Sequence, residues 1–322
     1  MLTLFEIDKK IIWLIGAIVT PVICALLLTL LQNKLPRDQG REFAVDGQKS
    51  AGKVRGAGLL FIIAFVICAL VFVKPSVEYI LYYVLILAGM LTGYLDDASD
   101  KPWNEYKKGL LDLIISAGTS AVFVIANRKS GLLGLSFFGN SLNIHPVIYF
   151  FLGLILVWML INAVNCTDGI DGFCGVLTSV SLISAAIVIK INGSDENMLP
   201  LTAVMILVLL PYLWLNSEPS TMLMGDAGSR ALGLFLAILI MKTGNILLVI
   251  PLCFVICVDG LIGIAKVSMI RFLHLNVMKK IRTPLHDHFR KNLGWSNTKV
   301  IYRYVIIQSL ISLVTLVSCA SF

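Results

Sequence analysis

Apolar runs long enough to cross a bilayer recur almost without pause along this chain, the first from Ile11 to Leu31. A crossing needs about 20 apolar residues for roughly 30 Å of hydrocarbon. With 58% apolar and 14% charged residues, and a mean hydropathy of +0.89, the chain has the composition of an all-α polytopic integral membrane protein. Ten spans are predicted, near residues 11–31, 56–74, 77–95, 110–128, 144–163, 174–190, 198–216, 229–242, 245–265 and 301–320, the eighth of them short. Ile11 to Leu31 is too long for a signal-peptide core and Leu31-Gln32-Asn33 is no small-residue cleavage site, so it stays as the first span. No polar stretch or Pro-rich linker divides the chain, and residues 1–322 read as one transmembrane domain.

Ten spans put odd-numbered connections on one face and even-numbered ones on the other. Most of the 26 Lys and Arg residues fall in connections one, three and nine, with few on the opposite face. By the positive-inside rule the odd connections are cytoplasmic and both termini lie outside. The net charge of +7 therefore sits largely on one side, where it is able to hold anionic lipid or attract a phosphate-bearing substrate. Lys53, Lys107 and Lys108 are the first candidates for phosphate binding, against ordinary positive-inside topology as the plainer account. The seven cysteines lie in or beside predicted spans and form no metal or disulfide framework.

Four polar segments interrupt the apolar pattern, all in cytoplasmic connections. Asp96-Asp97 ends the third span, where the helix dipole disfavours anions by about 0.3–1 kcal/mol each. Alone, an acid pair marks a solvated helix end. Asn162 to Gly172 carries Asn162, Asn165, Asp168 and Asp171 with Gly169 and Gly172 among them. Such acceptors suit a base, a ribose or a hydrated metal, and an ordinary turn rarely needs four. Met224 to Ser229 sets Asp226 between two glycines before the eighth span, an arrangement for a metal-bound phosphate or simply a helix cap. Pro284 to Phe289 places His286 and His288 around Asp287, a spacing compatible with metal ligation, proton transfer or hydrogen bonds to phosphate.

In that order on one face of a ten-span chain, DD, NAxNxxDGxDG, MGDxGS and PxHxHF resemble the polyprenyl-phosphate sugar-1-phosphate transferase superfamily. Thr283 to Phe289, Gly294-Trp295 and the downstream Val300, Ile301 and Arg303 are similar to its bacterial phospho-N-acetylmuramoyl-pentapeptide transferase branch. The resemblance implies a Mg²⁺-dependent reaction of undecaprenyl phosphate with UDP-N-acetylmuramoyl-pentapeptide, giving UMP and lipid I for peptidoglycan. It implies a bacterial inner-membrane location with a cytoplasmic site, a possible homodimer, and no nucleic-acid partner. Carried over by motif, Asp226 is the expected metal ligand, Asp96 deprotonates or orients the lipid phosphate, and Asp97 is its partner near metal and phosphates. Asn165, Asp168, Gly169, Asp171 and Asn216 are expected at the nucleotide, with His286 and His288 toward the diphosphate or sugar.

Phosphoryl transfer between anions needs charge neutralisation and in-line positioning more than a strong base. A phosphate monoester is already anionic near pH 7, its second pKa being about 6. Asp96 as an orienting group and a covalent aspartyl-phosphate route both stay open at this level. The chain departs from the family pattern in four places. His286-Asp287-His288 replaces His-His-His, Arg290 stands where an acid often follows Phe, Gly52 to Gly58 replaces a GTPTMGG-like segment, and Leu223 replaces an aromatic residue. Two alternatives differ in class or donor. A sister enzyme would use UDP-N-acetylglucosamine or a similar donor, and an ion-coupled transporter would keep its acids near the bilayer midplane in repeated halves.

Overall fold

The computed structural model describes residues 8–40, 50–99, 101, 103–137, 140–275, 278 and 280–320. The chain folds mainly into helices: α1 (Lys9–Leu31), α2 (Gly58–Phe72), α3 (Val77–Asp97), α4 (Glu105–Asn127), α5 (Pro146–Thr167) and α6 (Phe173–Asn192). After them come α7 (Met198–Asn216), α8 (Gly225–Lys242), the short α9 (Val249–Leu252), α10 (Phe254–Phe272), α11 (Leu285–Leu293) and α12 (Asn297–Ala320). Side-chain caps mark several starts: Asp8 accepts from the Lys10 amide, Ser76 from Tyr79 and Asn104 from Tyr106. Each satisfies an amide that the first helical turn leaves without a partner.

A helix lies at each of the ten predicted positions, yet seven among the described residues are long and apolar enough to cross a membrane. The count is eight when α9 and α10, bent by 94°, are taken as one broken span. Two helices fall short for different reasons. At 15 residues α2 reaches only about 22 Å. The 18 residues of α8 carry Asp226, Arg230 and Lys242, which lower its hydropathy. Every residue of α8 is buried, with α2, α3, α5 and α6 packed around it, so protein rather than lipid surrounds those charges. Gly93 of α3 packs so tightly on the first turn of α8 that a Cβ there would collide with the Asp226 backbone.

One short element among the described residues is not helical. Gly134–Phe137 (β1) and Asn140–Asn143 (β2) form an antiparallel hairpin between α4 and α5, with Leu135 opposite Leu142. The segment is too short for a helix and its Leu135-Ser136-Phe137 run alternates in the strand period. α11 is an amphipathic helix outside the span set, carrying the fourth polar segment.

Polar residues collect at both ends of the bundle. At the end away from the four motifs, Lys242 Nζ is 2.7 Å from both Glu78 Oε1 and Asp195 Oδ2 and donates to Asn127 Oδ1 at 3.1 Å. Its side chain is 1% exposed. Tyr79 donates to Asp195 and Tyr82 to Glu78, which closes a buried network joining α3, α4, α8 and the turn before α7.

Candidate active site

The four polar segments meet at the other end of the bundle. Each sits at a helix terminus on that side, and the chain just before α2 is laid across them. Val54 pairs with Met222 in a parallel bridge, and the Leu223 amide donates to the Val54 carbonyl at 2.7 Å. This fixes Lys53 and Arg55 beside the start of α8.

Asp96 and Asp97 end α3, where its own dipole opposes them, but they face compensating charge. Asp97 Oδ2 accepts from the Ala227 amide at 3.2 Å in the first turn of α8, whose dipole favours an anion. Gly225, at φ +68°, makes the entry to that helix, and a Cβ there would run into the Asp97 carboxylate. Asp97 Oδ1 lies 2.9 Å from Arg55 Nη2. Asp96 pairs with Lys108 and accepts from the Trp103 amide at 2.7 Å. Asp226 has three cations around it: Arg55 at 3.8 Å, Lys108 at 3.7 Å and Arg230 Nε at 3.6 Å. Arg230 is in turn held by Asp112 at 2.8 Å, both nearly fully buried.

Asp96, Asp97 and Asp226 with Arg55, Lys108 and Arg230 line a cleft of about 1040 Å³. Of the predicted residues, Asp96, Asp97, Lys108, Asn162, Asn165 and Asp226 line it. Arg55, Arg230 and Asp38 line it too, and sequence reasoning missed them as site residues. A signal existed for each arginine. Arg55 lies in the Gly52 to Gly58 segment that departs from the family pattern, and Arg230 follows Asp226 by one helical turn.

Other predicted residues belong to the same end but bond within the protein. Lys53 Nζ is 3.0 Å from Asp171 Oδ2 and donates to the Ser220 hydroxyl at 2.8 Å, while the Ser220 amide donates to Asp171 at 2.9 Å. Asn216 Oδ1 accepts from the Gly172 amide at 2.8 Å and its Nδ2 donates to the Met222 carbonyl at 2.7 Å. Together they tie the α5–α6 and α7–α8 connections to the segment before α2. Lys107 lies 3.3 Å over the Trp103 ring, beside the cleft rather than in its lining.

His286 is buried behind the α5–α6 loop. Its Nδ1 is 2.8 Å from Asp259 Oδ2, its amide donates to Asp259 Oδ1 at 2.8 Å, and its ring meets Phe173 edge-on. Gly169 leaves room for this ring, since a Cβ there would strike Nε2. Asp168 closes α5 as its C-terminal cap. His288 turns elsewhere, its Nδ1 accepting from the Arg282 amide at 3.2 Å. The partner of His286 was also missed. Asp259 is a single acid inside the apolar run of α10, and a charged group at such a position asks for a function or a partner.

Chemically, the cleft sets a pair of carboxylates, Asp97 and Asp226, among several fixed cations. Burial works against the Arg55 charge, and Asp97, Asp226, Asp38 and Asp168 overcome it, raising its pKa. Such a site is suited to phosphate groups carried with a divalent cation.

Comparison with known proteins agrees with this chemistry. A sequence model described as glycosyl transferase family 4 matches residues 79–244. The phospho-N-acetylmuramoyl-pentapeptide-transferase of Treponema pallidum (strain Nichols) is 36% identical over 297 residues, covering 87% of this chain and 81% of the relative. The enzyme of the same name from Dictyoglomus thermophilum is 30% identical over 270 residues, 82% of each chain. That of Campylobacter lari is 27% identical over 310 residues, 89% of this chain and 87% of the relative. The chain thus belongs to the phospho-N-acetylmuramoyl-pentapeptide-transferase family, within glycosyl transferase family 4.

Proposed function

We propose that this protein transfers phospho-N-acetylmuramoyl-pentapeptide from its UDP donor to undecaprenyl phosphate, releasing UMP and leaving lipid I in the membrane. The observation that carries the reading is the cleft itself. Asp96, Asp97 and Asp226 converge there with Arg55, Lys108 and Arg230. The cationic connections support a cytoplasmic position for it in a bacterial inner membrane.

The residues present fit Mg²⁺. Among the described residues no cluster of three or more His, Cys, Asp or Glu side chains is set to hold a metal unaided. Mg²⁺ usually takes one or two carboxylates and fills its remaining positions with water and substrate phosphate. Asp226 would be the principal ligand and Asp97 its neighbour, and Asp97 Oδ1 is buried without a hydrogen bond. The bound ion would supply charge neutralisation at the transferring phosphate.

The chain's own groups do the rest. Lys108, paired with Asp96, draws the acceptor phosphate to the end of α3, and Asp96 orients it. A strong base is not needed, because that phosphate is already ionised near pH 7. Arg230, fixed by Asp112, keeps a positive charge at Asp226. Asp259 sets the ring of His286, and His286 packs on Gly169 and so supports the end of α5, with Asn165 and Asp168, at the nucleotide.

The test is UMP release by purified protein with undecaprenyl phosphate, offering UDP-N-acetylmuramoyl-pentapeptide and UDP-N-acetylglucosamine in parallel. Release from the muramyl donor alone, abolished by EDTA, is expected. Release from the glucosamine donor alone would keep the chemistry and overturn the assigned substrate.

A further inference from the structure

Arg55 enters the cleft at the point where the two proposed metal-binding acids face each other. Its Nη2 is 2.9 Å from Asp97 Oδ1 and 3.8 Å from Asp226 Oδ1, and its Nη1 is 3.7 Å from Asp38 Oδ2. Arginine–carboxylate pairs frequently form two parallel hydrogen bonds. Here the charge is spread over three acids, and even the shortest contact misses hydrogen-bond alignment, leaving Asp97 Oδ1 without such a bond. The planar N–H fork is therefore committed to no single carboxylate, in a cleft that the transferase reading fills with diphosphate.

Rigid neighbours keep the group there. The Arg55 amide donates to the Pro36 carbonyl at 2.9 Å, and Val54 and Ala57 on either side are bonded to Leu223. Only the side chain has freedom to turn, and it is 19% exposed.

We propose that Arg55 is a diphosphate-binding residue that also serves as a placeholder cation. Without donor it neutralises Asp97 and Asp226, and when the donor arrives its fork turns onto the diphosphate while the two acids pass to the divalent ion. The exchange leaves the cleft's charge unchanged, because the diphosphate diester brings two negative charges and the ion two positive ones. The role rests on the transferase reading above. It also gives a physical meaning to the Gly52 to Gly58 segment, where this chain departs from the family pattern.

Full-length protein in detergent, with Arg55→Gln and Arg55→Lys variants, tests the idea through two readouts. The first is Mn²⁺ affinity without donor, measured by electron paramagnetic resonance. The second is the split between donor KM and kcat. Arg55→Gln should bind Mn²⁺ about threefold or more tighter, because the competing charge is gone. Its donor KM should rise roughly ten- to a hundredfold through loss of a charge-assisted hydrogen bond. Arg55→Lys keeps the charge without the fork, so Mn²⁺ affinity should return to the wild-type value while KM stays raised. Unchanged or weaker Mn²⁺ binding in Arg55→Gln, or an unchanged KM in either variant, would overturn the proposal. If Arg55→Gln does not fold, Arg55→Lys decides alone, and a wild-type KM in it overturns the role. Wild-type protein that releases no UMP would instead sink the transferase reading, and the Mn²⁺ comparison would still judge the placeholder role.

Discussion

Asp226→Asn is expected to lower turnover by about a hundred- to a thousandfold, the range seen when one preorganised electrostatic group is removed from an active site. The substitution keeps the shape of the side chain and takes away one negative charge. Arg55, Lys108 and Arg230, all within 4 Å of that carboxylate, would then face a cleft with less anion to hold them and a divalent ion with a poorer ligand. Folding should survive, because Asp97 caps the same helix start and Asp112 still holds Arg230. Steady-state UMP release alongside a thermal melt in detergent separates the two effects. A fully active Asp226→Asn protein would refute the metal assignment.

Lys242→Met is expected to act on stability, at about 3–5 kcal/mol, the usual cost of stripping one partner from a buried ion network. The lysine lies 2.7 Å from each of two carboxylates and is 1% exposed, so its loss strands Glu78 and Asp195 in the protein interior. Removing the whole network at once, as Lys242→Met with Glu78→Gln and Asp195→Asn, should recover most of the loss, since no uncompensated charge remains. Unfolding in detergent, followed by circular dichroism, measures both. A single variant as stable as wild type would show that the network contributes little.

Much of the helical layout was legible because lipid-length apolar runs with polar ends leave few choices. The predicted 77–95 and 198–216 coincide closely with Val77–Asp97 and Met198–Asn216. Hydropathy fails where protein replaces lipid as the surroundings. α8 carries Asp226, Arg230 and Lys242 and is buried along its whole length, a situation no window of its own residues reveals. The bend between α9 and α10 and the β1–β2 hairpin were likewise set by packing that local periodicity does not contain.

In the cleft lining, Asp96, Asp97, Asp226 and Asn165 stand out in the sequence as polar motif residues between apolar spans, and Lys108 as a cation of the third connection. An Asn or Asp in a turn, however, offers the same oxygens to a ligand or to a neighbouring loop. Asp171 and Asn216 bond to Ser220 and Gly172, which only the fold shows. Asp259 was missed because a lone acid in an apolar helix has no local motif. Its meaning comes from His286, 27 residues away in sequence.

The central claim is transfer rather than hydrolysis or transport. The measurement that tests it most directly is mass-spectrometric detection of the lipid product from protein reconstituted in nanodiscs with undecaprenyl phosphate, Mg²⁺ and UDP-N-acetylmuramoyl-pentapeptide. UMP and undecaprenyl-diphospho-N-acetylmuramoyl-pentapeptide in equal amounts, neither appearing in EDTA, is the predicted result. UMP without the lipid, or neither product in the presence of Mg²⁺, would contradict the account.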